Sequence, residues 1–166
     1  KRYFGEADIV IINAAVPASA LSEMTQHALR YAIATDFTAY LLTAHAGASL
    51  LGDKGGIVLI GSMSAHVLGP GSTVYAGMKA GIAGFAEALR KELGPTGIKV
   101  SLVEPGKTGA DFQYLDIPAD KQRDMIRAET MLRAEDIAVA VQYLLTQPRR
   151  AVVQQITIAP RMQAQE

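Results

Sequence analysis

Residues 57–89, IVLIGSMSAHVLGPGSTVYAGMKAGIAGFAEAL, pass from an apolar run through a glycine-punctuated loop into a helical pattern. The opening IVLI has the length and β-branched content of a strand, and its unbroken apolar character suits a strand buried on both faces of a parallel sheet. Beyond the loop, Ile82, Phe85, Leu89 and Leu93 fall on one helical face, and Gly94-Pro95 ends the pattern. Strand, loop and helix in this order form the first half of a βαβ unit.

Three further apolar runs extend the pattern in both directions: IVII within DIVIIN (residues 8–13), IKVSLV at 98–103 and VVQQITI at 152–158. Residues 22–51 carry a helical pattern, with Ser22 as its candidate cap and Gly52 as its terminator. Ile137, Val141, Leu144 and Leu145 repeat the pattern before Gln147-Pro148. The sum is βαβαβαβ, which predicts a doubly wound α/β sheet of Rossmann-like type. Residues 107–131, KTGADFQYLDIPADKQRDMIRAETM, are long and polar with weak periodicity, and are expected to form a lid or binding loop on the substrate side.

At 166 residues the chain is expected to be a single domain over residues 1–166. Sixteen basic and sixteen acidic residues cancel without any block of like charge, so there is no electrostatic footprint for nucleic acid or an anionic membrane. The expected partner is a small molecule or another protein. No cysteine is present, which excludes disulfides, thiolate metal sites and thiol nucleophiles, and His27, His45 and His66 lack metal-ligand spacing and read as surface or packing residues. The short apolar run near the start suits neither a membrane span nor a signal-peptide core, so the expected location is the cytoplasm.

Ser62, Tyr75 and Lys79 stand thirteen and then four residues apart. With six tyrosines and seven lysines, roughly 0.25 Tyr-x-x-x-Lys pairs arise by chance, and requiring a serine thirteen residues upstream lowers this to on the order of 0.01. Ser62 follows a strand, at the carboxyl end where open α/β sheets bind ligands, while Tyr75 and Lys79 share one face at the start of a helix. A cation near a phenol lowers its pKa from about 10 by about 1 to 3 units, towards a working acid or base near neutrality. Ser62 is placed to donate a hydrogen bond to a substrate oxygen. Such a cluster suits hydride transfer coupled to proton transfer at a carbonyl. The GKT of PGKTG (105–109) lacks the earlier glycine of a P-loop, whose place is held by Ser101, and is set aside.

With these three residues, IVIINAAV (9–16), VYAGMKAGIAGFAEALRKEL (74–93) and IKVSLVEPG (98–106), the chain resembles short-chain dehydrogenases/reductases of the classical type. Its ending, AEDIAVAVQYLLTQPRRAVVQQITIAP (134–160), resembles the branch that contains 3-hydroxy-acid and serine dehydrogenases. The resemblance implies an NAD(P)-dependent oxidoreductase acting on a secondary alcohol or ketone, with NADP or NAD as cofactor. In it Tyr75 is the proton donor and acceptor, Lys79 lowers its pKa and binds the nicotinamide ribose, and Ser62 polarises the carbonyl. Asn13 and Ala14 would lie towards the adenosine side, and Pro105, Gly106 and Thr108 beside the nicotinamide. Helices 22–51 and 75–93 correspond to those that form a four-helix contact in the family, which implies a homodimer or homotetramer.

Departures from the family pattern bear on the site. Its Asn-Asn-Ala-Gly is Ile12-Asn13-Ala14-Ala15 here, and a threonine often found after Pro-Gly is Ala110. An asparagine that in the family holds a water between the lysine and solvent corresponds to Asp36, a carboxylate that would offset the positive field of Lys79. The glycine-rich turn that receives a pyrophosphate is expected ahead of Lys1. The chain is then part of a longer protein, one product of a split enzyme, or a short form without cofactor that serves as a binding or assembly module. The retained catalytic residues favour the first.

Overall fold

The computed structural model describes residues 7–110, 114 and 116–163. Strand β1 (Ala7–Ile12) leads through a 3-10 turn (Leu21–Glu23) into α1 (Gln26–Ile33), which continues without a break through a π turn (Ala34–Thr38) into α2 (Ala39–Ala48). Then follow β2 (Leu51–Ile60), α3 (Thr73–Leu93), β3 (Lys99–Pro105), α4 (Ala119–Arg127), α5 (Ala134–Leu145) and β4 (Gln155–Ile158). The four strands are parallel in the order β1-β2-β3-β4.

Alternation along the strands assigns each face its own core. Ile57 and Leu59 of β2 and Val100 and Leu102 of β3 join Tyr40 and Ala44 of α2 and Ile82, Ala86 and Leu89 of α3. Val58 and Val103 point the other way and pack with Ala140 and Leu144 of α5. The sheet is therefore covered on both faces, as a doubly wound fold requires. Because the strand order is strictly sequential, moving α5 to the opposite face gives the last crossover the hand opposite to that of the first two.

Element boundaries differ from the sequence expectation in instructive places. The helix expected over 22–51 is capped by Thr25, whose hydroxyl accepts from the Ala28 N–H at 3.1 Å, and not by Ser22, which lies in the 3-10 turn. It ends at Ala48, and Gly52 belongs to β2, which starts six residues before the apolar run. The run 152–158 contributes only Gln155–Ile158 to the sheet. Within 107–131 the charged segment 119–127 forms α4, anchored by buried Gln122, whose amide donates to the Ile117 carbonyl at 2.9 Å. At Gly97 the chain turns from α3 into β3 with φ of 89°, where a side chain would meet the Asp53 carbonyl oxygen at 2.2 Å, so glycine is required. Among the described residues no helix is long and apolar enough to cross a membrane.

Candidate active site

The carboxyl ends of the strands and the amino end of α3 enclose a cavity of about 420 Å³. Asn13, Ser62, Tyr75, Lys79, Pro105, Gly106 and Thr108, all singled out from the sequence, lie on its wall. Ala14 does not; it is exposed, and Ala15 takes the place on the wall. Apolar side chains complete the lining, Ile11 and Ile60 from the strands and Ile137 and Val141 from α5. A mostly apolar cleft with a few convergent polar groups is the usual character of a small-molecule site.

Each polar group has a structural reason for its position. Ser62 follows β2 in extended backbone, and its hydroxyl accepts from the Ser64 N–H at 3.1 Å, which starts the turn Met63–Ala65. Tyr75 and Lys79 are one helical turn apart on the buried side of α3, and the Lys79 ammonium lies 5.3 Å from the centre of the Tyr75 ring. Gly106 donates its N–H to the Ile158 carbonyl at 2.6 Å, fastening the loop after β3 to β4. A side chain at Gly106 would meet Gln163 Oε1 at 2.3 Å, so the end of the Gln163 side chain would have to move, and Pro160 Cδ at 3.0 Å. The Thr108 hydroxyl donates to the Gly106 carbonyl at 3.0 Å.

Asp36 is buried in the π turn. Its Oδ1 accepts from the Val16 N–H at 2.7 Å, whereas Oδ2 is buried without a hydrogen-bond partner. Burial pushes its carboxyl above the ordinary 3.8, against the Val16 N–H and the charge of Lys79, which pull it down. Burial also lowers Lys79 from its ordinary 10.5, and the charge of Asp36 opposes that. A raised folded-state pKa means that the stability Asp36 contributes in its neutral form is present at acid pH and lost as pH rises through the folded value. The stability of Asp36→Asn relative to the wild type should therefore increase between about pH 4 and about pH 7, read from urea unfolding midpoints. An equal difference at both pH values would remove the burial penalty from this account.

Two buried polar features near the cavity are not evident from the sequence. Tyr40, wholly buried, stands on the cavity wall, and its hydroxyl donates to the Ile60 carbonyl at 2.9 Å. Its spacing of four from both Asp36 and Ala44 was the available signal. Glu104, wholly buried next to Pro105, lies 2.9 and 3.1 Å from His66 Nε2 and accepts from the Gln155 amide at 2.5 Å. His66 is thus a packing residue, which ties the turn after Ser62 to the end of β3. His27 and His45 are exposed. A second, smaller cavity of about 60 Å³ adjoins Ser62 and is lined by Ser64, Lys107, Tyr114 and Gln163.

The sequence model for short chain dehydrogenases matches residues 1–117, and the chain belongs to that family. Over 160 residues it is 31% identical to an uncharacterized oxidoreductase of Staphylococcus aureus (strain USA300), covering 95% of this chain and 66% of that protein. Among solved structures, a short chain dehydrogenase from Burkholderia cenocepacia in complex with NADP is 29% identical with a TM-score of 0.81, over 96% of this chain and 66% of that one. A dehydrogenase/reductase from Sinorhizobium meliloti is 31% identical with a TM-score of 0.79, over 93% and 63%. The chain thus spans about two thirds of the length of these relatives.

Proposed function

We propose that this chain is the catalytic and substrate-side portion of an NAD(P)-dependent oxidoreductase that interconverts a secondary alcohol, such as a hydroxy acid, and a ketone. The observation that carries the reading is the convergence of Ser62, Tyr75, Lys79 and the Pro105-Gly106 turn on one cavity. The residues suit the nicotinamide half of such a cofactor: the buried ammonium of Lys79 and the half-buried phenol of Tyr75 are donors for ribose hydroxyls, and the apolar wall suits a flat ring. When bound, the nicotinamide donates or accepts the hydride. Tyr75 gives a proton to, or takes it from, the substrate oxygen, Ser62 holds that oxygen by a hydrogen bond, and Lys79 favours the phenolate by its charge. NADP is the form that the Burkholderia relative holds; either NADP or NAD is compatible with the walls described. The test is oxidation of a panel of hydroxy acids and secondary alcohols by the intact protein, followed by nicotinamide absorbance. Absence of turnover with both cofactors would favour the alternative, a silent binding or assembly module.

Asp36 enters this reading as the group that links Lys79 to its surroundings in place of an asparagine. Asp36→Asn should move the basic-side dependence of alcohol oxidation to lower pH, because any negative charge offsetting Lys79 is removed. Residues 107–131 belong to the substrate side in this reading, supported by Gly109 and Ala110 on the main cavity and Lys107 and Tyr114 on the smaller one. Asp111, Phe112, Gln113 and Leu115 lie outside the described residues.

Self-association through the outer faces of α2 and α3 is also part of the proposal. Exposed Leu42 on α2 and the open surface above Gly77 and Gly84 on α3 allow close helix packing. Sedimentation at micromolar concentration should give a dimer or tetramer, and a monomer would count against it.

A further inference from the structure

The geometry points to Tyr40 as a positioning residue that holds the Lys79 ammonium near Tyr75 by offering it a second aromatic ring. It rests on the reading of Tyr75 and Lys79 as the working pair. The Lys79 Nζ lies 5.2 Å from the centre of the Tyr40 ring and 5.3 Å from that of Tyr75, so the cation lies over two rings that come from different helices. A cation within about 6 Å of a ring centre is attracted to its face, and more strongly where water is excluded. Lys79 is 2% exposed and Tyr40 is 0% exposed, so both partners are desolvated.

Tyr40 is itself fixed from two directions. The π turn sets the rotation of α2, and the phenol donates to the Ile60 carbonyl at the end of β2, two residues before Ser62. The clamp therefore references the lysine to the strand that carries the serine. The titratable groups that act on this ammonium are Asp36 from the π turn, Tyr40 from α2 and Tyr75 from its own helix. The strand ends Ile60 and Pro105, and Gly61 and Ser62 just after β2, bring only uncharged groups to the same cavity. Without the Tyr40 ring the ammonium would be less tightly held and more open to water, and either change weakens its effect on the Tyr75 phenol.

The test is the ionisation of Tyr75 in the intact protein, followed by the Cζ resonance of ¹³C-labelled tyrosine and assigned by its loss in Tyr75→Phe. Tyr40→Leu should raise the Tyr75 titration by ~1 pH unit and move the basic limb of kcat with it. Tyr40→Phe, which keeps the ring and loses the hydroxyl, should leave the titration in place. An unshifted titration in Tyr40→Leu overturns the clamp, as does an equal shift in both variants, which would assign the effect to the hydrogen bond with Ile60. If Tyr40→Leu does not fold, the wild type decides: the Lys79 ε-protons should show Overhauser contacts to the Tyr40 ring, and their absence overturns the proposal. Undiminished turnover in Tyr75→Phe would sink the acid–base reading instead, and the titration stands apart from that result.

Discussion

Tyr75→Phe in the intact protein should lower kcat for alcohol oxidation by about a thousandfold or more while the urea midpoint stays close to that of the wild type. The phenol is the group with both the position and the charged neighbour for proton transfer, and a positioned acid or base contributes about 10²–10⁴-fold. Phenylalanine keeps the ring, and with it the contact with Lys79 at 5.3 Å, so loss of activity without loss of stability isolates the hydroxyl. A variant that retained more than about a tenth of the activity would transfer the proton to another group and remove the central element of the proposed function.

Leu59→Ala should destabilise the fold by about 3 kcal/mol, the middle of the usual range for a buried leucine. Leu59 is 0% exposed near the carboxyl end of β2, packed with Ile57, Val100, Leu102 and the inner residues of α2 and α3. Neighbouring strands on both sides prevent the backbone from collapsing into the space left behind. Val139→Ala, at a position 65% exposed on α5, should stay within about 0.5 kcal/mol of the wild type. Urea unfolding of both variants gives the comparison, and a loss below about 1 kcal/mol for Leu59→Ala would show that the core relaxes far more than this packing suggests.

The strands between 57 and 103 and the helix 75–93 were legible because both pattern and composition pointed to one answer. IVLI has three β-branched strand formers in four residues, and the helix after Tyr75 combines a clear face with a Gly-Pro stop. The spacing of Ser62, Tyr75 and Lys79 was legible for a similar reason: strand end and helix start fix where such residues point. What stayed hidden depends on contacts distant in sequence. Glu104 reads as a surface carboxylate until the positions of His66 and Gln155, 38 and 51 residues away, are known. The extension of β2 back to Leu51, past an irregular stretch that holds polar Asp53 and Lys54, comes from the pairing of Leu51 with Ala7 of β1, which hydrophobic periodicity does not record.

The π turn at Ala34–Thr38 has the standing of a single-residue insertion in an otherwise regular helix. Ala32, Asp36, Tyr40 and Ala44 are all buried at steps of four. In an unbroken α-helix each such step drifts by roughly 40°, so three steps would carry Ala44 well away from the line of Ala32. The wider turn takes up part of that drift. Deleting one residue from it would restore a regular helix of nearly the same length with everything beyond in nearly the same orientation, whereas straightening it with all its residues kept would rotate everything beyond by close to one residue's step of about 100°, taking the Tyr40 ring off Lys79 and away from Ile60. In a comparison of this chain with a relative whose helix is regular here, a gap-free pairing aligns residues that face different directions. One side of the turn then matches the relative in space and the other does not, so Asp36 and Tyr40 are best assigned to their counterparts by superposing side-chain positions.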